Sequence, residues 1–191
     1  PGSLESLTHV QSEISRLDVF GLNLLVPSKL FKKKKWICWI EEKGSFLLFY
    51  ISGVLLGARV SCTSKDGLDE AVKDLPVGIG ALSLIHSGSC DLGPLSCLTA
   101  LHTLSLSDCE SLTDLRPLSA LSGLSCLSFS NCASLGDLEP LSVLADLSSL
   151  SFSNCRSLSD LEPLSALTTL DVLEIRDCIS LTDLEPLSCL T

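Results

Sequence analysis

The stretch LSCLSFSNCASLGDLEPLSVLAD, Leu124 to Asp146, decides how the chain folds, because its neighbours repeat it almost word for word. Upstream, Leu101 to Gly123 reads LHTLSLSDCESLTDLRPLSALSG; downstream, Leu147 to Thr169 reads LSSLSFSNCRSLSDLEPLSALTT. From Leu170 the pattern restarts as LDVLEIRDCISLTDLEPLSCLT, ending one residue short of a full unit. The period is 23 residues. Cys109, Cys132, Cys155 and Cys178 form one column of identity; Asp114, Asp137, Asp160 and Asp183 form a second; Pro117, Pro140, Pro163 and Pro186 a third. An earlier, atypical unit spans Ile79 to Ala100, one residue shorter between Cys90 and Asp91. The recognisable units are therefore 79–100, 101–123, 124–146, 147–169 and 170–191.

Each unit divides into two halves of different character. In the third, Leu127 and Phe129 alternate with Ser128 and Ser130, the period of two expected of a strand with one buried face. The second half, D-L-x-P-L-S-x-L, places proline where its fixed φ and missing N–H suit the first position of a short helical turn. Aspartate three residues before that proline is suited to accept backbone N–H bonds on the way in. So short a segment predicts 3₁₀ turns in place of α-helices. Six large side chains per unit, such as Leu104, Leu106, Leu112, Leu115, Leu118 and Leu121, are expected inside. The small column Cys97, Ala120, Val143, Ala166 and Cys189 is expected to let successive returning segments approach closely. The cysteine column follows the strand, where a buried free thiol is a simpler account than a disulfide ladder.

A fixed period of this length carrying L-x-x-L-x-L-x-x-N/C is the signature of leucine-rich repeats. The D-L-x-P-L-S-x-L half resembles the internalin-like repeats of bacterial surface proteins, and the N-C-x-S-L-x-D half resembles the cysteine-containing repeats of ubiquitin-ligase adaptors. The combination is most similar to leucine-rich repeat proteins of trypanosomes and related protozoa, some of which are associated with surface-antigen expression. The resemblance covers Ile79 to Thr191 and implies an α/β-type solenoid: a right-handed coil with a parallel β-sheet on its concave face and short 3₁₀ or irregular turns on its convex side. The rows expected on the concave face are Thr103, Ser105 and Ser107; Cys126, Ser128 and Ser130; Ser149, Ser151 and Ser153; and Val172, Glu174 and Arg176.

Residues 1–78 belong to a different kind of sequence. Up to Gly80 there are ten Lys or Arg against nine Asp or Glu; from Ala81 onward there are three against fourteen, with no Lys. Leu4, Leu7, Val10, Ile14 and Leu17 fall at the spacing of a helix face that Pro27 would end. This stretch reads either as a degenerate repeat or as a separate helix. Lys32 to Lys35 is a lysine run, and Phe46 to Ala58, FLLFYISGVLLGA, contains no charge. Thirteen apolar residues are short for a membrane span, which takes about 20. Three readings of this run stand side by side: a short signal anchor, a strand or helix covering the first repeat, and sequence foreign to the fold. Residues 61–74 read as a linker around the Asp66-Gly67 turn signal. Without Met, and with Thr191 inside a repeat, the sequence reads as a fragment with further repeats to follow.

The chemistry of a catalytic site is not visible. His9, His86 and His102 are not paired with a nucleophile or carboxylate in any recognised motif, and each is expected to be solvated. Zinc-ligand and phosphate-loop motifs are missing, so no cofactor or metal is expected. The Asp column and Glu139, Glu162 and Glu185 are expected to bond their own turns and face water in place of holding Ca²⁺. An acidic, lysine-free surface repels phosphate backbones, which argues against nucleic acid as a partner. What remains is a non-enzymatic protein–protein interaction module, with another protein as partner. The alternatives are a receptor or adhesin held at a membrane through Phe46–Ala58, and a substrate-recruiting adaptor of a ubiquitin ligase. Free cysteines favour a cytoplasmic or membrane-associated protein with its repeats on the reducing side.

Overall fold

The computed structural model describes residues 75, 78–86 and 90–190, and the backbone of five earlier strands. These are β1 (Arg16–Val19), β2 (Leu22–Leu25), β3 (Cys38–Lys43), β4 (Phe46–Ile51) and β5 (Val54–Cys62). The repeats add β6 (Ala81–His86), β7 (Thr103–Ser107), β8 (Cys126–Ser130), β9 (Ser149–Ser153) and β10 (Val172–Arg176). Strands β3 to β10 form one eight-stranded sheet in chain order. From β5 to β10 every pairing is parallel, and the repeat strands pair without slip: Leu104, Leu127 and Leu150 share one row, and Leu106, Phe129, Phe152 and Ile175 the next.

The period of two within each strand decides its faces. Inward residues Leu104, Leu106, Leu127, Phe129, Leu150 and Phe152 are at most 2% exposed, and the serines between them are half-buried. All six leucines expected inside the second repeat are buried, joined by Leu101 and Cys109. Burying each large side chain contributes about 1.5–3 kcal/mol. Rings of Phe129 and Phe152, one repeat apart, lie 5.4 Å apart and nearly parallel. The same rows open to solvent in the last repeat: Leu173, Ile175, Leu181 and Leu187 are only partly buried and Leu184 is 59% exposed, since no described coil packs on that side.

The returning half forms 3₁₀ turns at Gly93–Cys97, Arg116–Ala120, Glu139–Leu141, Glu162–Ala166 and Glu185–Cys189, with proline early in each. The aspartate column enters them as the sequence suggests. Asp91, Asp114, Asp137, Asp160 and Asp183 each accept, through Oδ1, the backbone N–H two residues on, at 2.8–2.9 Å. Arg116 adds two side-chain bonds to Asp114 and, with its own N–H, holds that carboxyl down at about 2. Glu139, Glu162 and Glu185 are exposed. The small column behaves otherwise than expected. Cys97, Ala120 and Ala166 are exposed and Val143 is 61% exposed, so they face solvent while Leu95, Leu118, Leu141 and Leu164 fill the contact between coils. A 3₁₀ turn repeats every three residues, and only its proline-following leucine points inward.

Between strand and turn the chain reverses at Asp108, Asn131, Asn154 and Asp177, all with φ near +55°. Asn and Asp are the non-glycine residues that adopt this left-handed conformation most readily. Their side chains also join the coils: Asn131 Nδ2 donates to Asp108 Oδ1 at 2.8 Å, and Asn154 Nδ2 to Asn131 Oδ1 at 2.9 Å. Backbone N–H groups of Asp108, Asn131 and Asn154 donate to Ser130, Ser153 and Arg176 carbonyls in the next coil.

Upstream, the structure replaces two expectations. Leu17, assigned by spacing to a helix face, lies in β1, which pairs with β2 as an antiparallel hairpin. Leu4, Leu7, Val10 and Ile14 lie outside the described residues, as do the lysine run 32–35 and most of the 61–74 stretch, whose first two residues end β5. The apolar run Phe46–Ala58 forms β4 and the first half of β5, and no helix among the described residues is long and apolar enough to cross a membrane. A strand covering the first repeat is the reading that the pairing of β5 with β6 fits. Runs of apolar residues serve a strand hydrogen-bonded on both sides as well as they serve a span.

Two predictions test this architecture. Arg59→Pro, opposite Ser83 in the middle of β5, removes a ladder donor between two paired strands. Urea unfolding of the repeats is expected to shift toward instability by about 1–3 kcal/mol; an unchanged midpoint would mean that the repeats fold independently of β5. Asn131→Val is expected to cost about 2–3 kcal/mol, combining left-handed strain with the loss of two exposed side-chain hydrogen bonds. Asn131→Gly, which keeps the conformation, is expected to cost only about 0.5–1.5 kcal/mol.

Candidate functional site

The outward rows of the sheet meet on the concave face because the strands pair in register. Thr103, Cys126, Ser149 and Val172 form one row; Ser105, Ser128, Ser151 and Glu174 the next; Ser107, Ser130, Ser153 and Arg176 the third. Neighbouring members stand about 4.8 Å apart, the strand spacing of any sheet. Side chains of the first two rows line a groove of about 320 Å³ from Thr103 to Glu174. The expected concave residues are thus brought together, and they differ in access. Ser105, Ser107, Ser128, Ser130, Ser151 and Ser153 are half-buried, while Val172, Glu174 and Arg176 are exposed. Glu174 and Arg176 pair at 3.2 Å, which screens the one cation of the face among the described side chains.

Thr103 is the exception to the expectation of an exposed row. It is 5% exposed, and so is Ser83 one strand upstream, while Ala81 is fully buried. Strand β2 lies against β5, β6 and β7. Burial of outward positions on β6 and at the head of β7 puts that hairpin strand over the upstream part of the concave face. The Thr103 Oγ1 atom is buried without a hydrogen-bond partner. Spacing of the repeats carries no trace of a cover contributed from outside them, which is why Thr103 looked equivalent to Ser149.

His102, expected to be solvated, is half-buried, with its ring over Gly80 where any β-carbon would collide with it. It serves the strand entry: Ser125 and Cys126 N–H groups both donate to its carbonyl at 2.9 Å. His86 and His9 side chains lie outside the described residues.

Cys109, Cys132 and Cys155 are fully buried and free; Cys178 is free and half-buried. Cys132 donates to Leu106 O in the preceding coil at 3.8 Å, and Cys155 to Phe129 O at 4.0 Å, both long sulfur contacts. Bonds shared with the Cys132 thiol, for Cys109 a second bond with Cys90, and then burial push the Cys109 and Cys155 thiols well above the ordinary thiol range. Hydrogen bonds from Cys109 and Cys155 hold the Cys132 thiol below the ordinary thiol range. Among the described residues, no cluster of His, Cys, Asp or Glu has the arrangement of a metal site.

Strand, left-handed turn and 3₁₀ return, repeated at one register around a leucine core, define the architecture. The chain has the leucine-rich-repeat fold. Among solved structures, internalin C2 of Listeria monocytogenes aligns over 69% of this chain and 66% of its own, with 23% identity and a TM-score of 0.50. An internalin F of the same organism aligns over 67% of this chain and 48% of its own, with 25% identity and a TM-score of 0.39. This chain thus spans just under two thirds of internalin C2 and about half of internalin F. The likeness to internalin C2 is one of fold. No protein-family model and no curated protein matches the chain.

The leucine-rich-repeat geometry orders the thiols by access. On brief native alkylation, Cys97 is expected to label first among the described cysteines, followed by Cys90, Cys126 and Cys178, with Cys109, Cys132 and Cys155 slower than Cys97 by about 100-fold or more. Peptide mapping with and without denaturant checks the order.

Proposed function

We propose that this leucine-rich-repeat domain is a non-enzymatic module that binds another protein through the concave groove between Thr103 and Glu174. The observation that carries it is the groove: in-register rows of hydroxyls, held on a rigid leucine core, open to solvent from Ser105 to Arg176. Hydroxyls both donate and accept, which suits the backbone amides of a protein partner. A solenoid's curvature turns such rows into one extended surface. The surrounding coils carry fourteen acidic residues against three arginines, which disfavours acidic partners and nucleic acid. Aromatic and guanidinium anchors are sparse on the face, so affinity on this proposal comes from shape and hydrogen bonds more than from one dominant side chain. No structural observation favours a membrane tether or a ligase-adaptor role over this reading.

Bulk placed on each face in turn tests it. Ser128→Trp with Ser151→Trp fills the groove, and Ala120→Trp with Ala166→Trp loads the convex side. Affinity capture with the full chain as bait is expected to lose its specific partner about tenfold or more with the first pair only. Loss with the second pair instead would move the contact to the convex side.

A further inference from the structure

We infer that Cys90 and Cys109 form a peroxide-responsive thiol pair, in which the half-buried Cys90 sulfur meets the oxidant and the buried Cys109 thiol closes a disulfide tying the first coil to the second. The inference goes beyond the concave-face reading and does not depend on it.

The pair is a product of the fold. Cys90 is not a member of the cysteine column; counted back from Asp91, it stands where Leu112, Leu135, Leu158 and Leu181 stand in the later units. Leu112, Leu135 and Leu158 are fully buried between coils. In the first coil a thiol takes that place, packs against the leucine core and shares a hydrogen bond with Cys109 of the second coil. Cys109 in turn bonds Cys132, and Cys132 bonds Cys155, so four sulfurs follow one another across four coils. Access separates them. Cys109, Cys132 and Cys155 are fully buried, whereas Cys90 is only half-buried, so an oxidant arriving from solvent at this end meets Cys90 first. Cys97 is more exposed, but its sulfur bonds the Pro94 carbonyl of its own 3₁₀ turn at 3.1 Å.

The same contact prepares the chemistry. The bond with Cys109 favours the ionised form of Cys90 and outweighs burial, holding this thiol below the ordinary range. Thiolate is the form that attacks a peroxide. The Cys90 sulfur takes one oxygen of hydrogen peroxide as the O–O bond breaks, and the departing hydroxide leaves as water with the proton that Cys90 gave up. The product is a sulfenic acid on Cys90. Cys109 sulfur then displaces the hydroxyl: the S–S bond forms, the S–O bond breaks, and the Cys109 proton leaves with the hydroxyl as a second water. Two thiols have lost two electrons to one peroxide, and a reducing thiol such as glutathione returns them by exchange. The bridge closes a loop that contains the first 3₁₀ turn and β7, so it fixes the first two coils to each other.

Brief treatment of the reduced full chain with dilute hydrogen peroxide, then alkylation in denaturant, tests the pair. A protease cutting before Asp91 and Asp108 puts Cys90, Cys97 and Cys109 on three separate peptides, and mass spectrometry reads which are joined. The Cys90 and Cys109 peptides are expected to appear linked, and to separate again after glutathione. The oxidised protein is expected to melt about 3–10 °C higher than the reduced one. Cys90→Leu restores the residue of the other coils and is expected to fold, yet to lose both the bridge and the peroxide-dependent rise. Cys97→Ser is expected to keep both. A bridge at Cys155 and Cys178 in place of Cys90 and Cys109 would overturn the inference. So would a Cys90 that stays reduced while Cys97 oxidises, one that oxidises to the sulfinic acid without a partner, or a rise that survives in Cys90→Leu.

Discussion

A single coil of this chain cannot close its own interior. Its leucines point along the sheet normal and toward the coils on either side, so each apolar side chain is buried only when a neighbour of the same register stacks on it. The gradient of exposure along the repeats shows that dependence directly. Leu112, Leu115 and Leu118 are buried between two coils, while their counterparts Leu181, Leu184 and Leu187, packed on one side only, are half-buried or exposed. Identity of register from β6 to β10 is the condition for everything else: for the stacked phenylalanines, for the thiol row, and for the outward hydroxyl rows. A slip by one residue would turn every serine inward and every leucine outward.

Two polar ladders hold that register where apolar contact alone would let it slide. One runs through the left-handed turn, where Asn131 and Asn154 bond both backbone and side chain across coils. The other runs through the strand entries, where His102, Ser125 and Ser148 carbonyls each accept two N–H groups from the next unit. Both are directional, and both cost free energy if a coil shifts and leaves a donor unmet. The thiols between them add little bonding of their own, since their carbonyl contacts are 3.6 Å or longer in the three buried cases. Their contribution is to fill a small space without a polar debt.

The upstream strands change what the repeats present. Parallel pairing of β5 with β6 gives the first coil a neighbour that is not itself a recognisable repeat. The hairpin strand β2 crosses to the concave side and removes Ala81, Ser83 and Thr103 from solvent. The open part of the concave face is therefore shorter than the row of repeats that builds it, and one end of it is walled.

Much of this was legible in the chain. The period of 23 residues determined the coil, alternation within LSLS and LSFS determined the sheet faces, and D-L-x-P determined the 3₁₀ return and its aspartate cap. Each rests on local chemistry repeated at constant spacing. The left-handed Asp/Asn column was equally readable, since those residues precede the cysteine in every unit after the first. The small column misled, because smallness signals close packing and free surface alike, and only the handedness of the return decides which. Tertiary structure alone decided that Phe46–Ala58 would be sheet, since an apolar run has no period to read. It alone decided that Thr103 would be covered and Ser149 open: the two occupy one position in the repeat, and what separates them is a strand some eighty residues away in sequence. Burial is a property of the neighbour that arrives, and no repeat encodes its visitor.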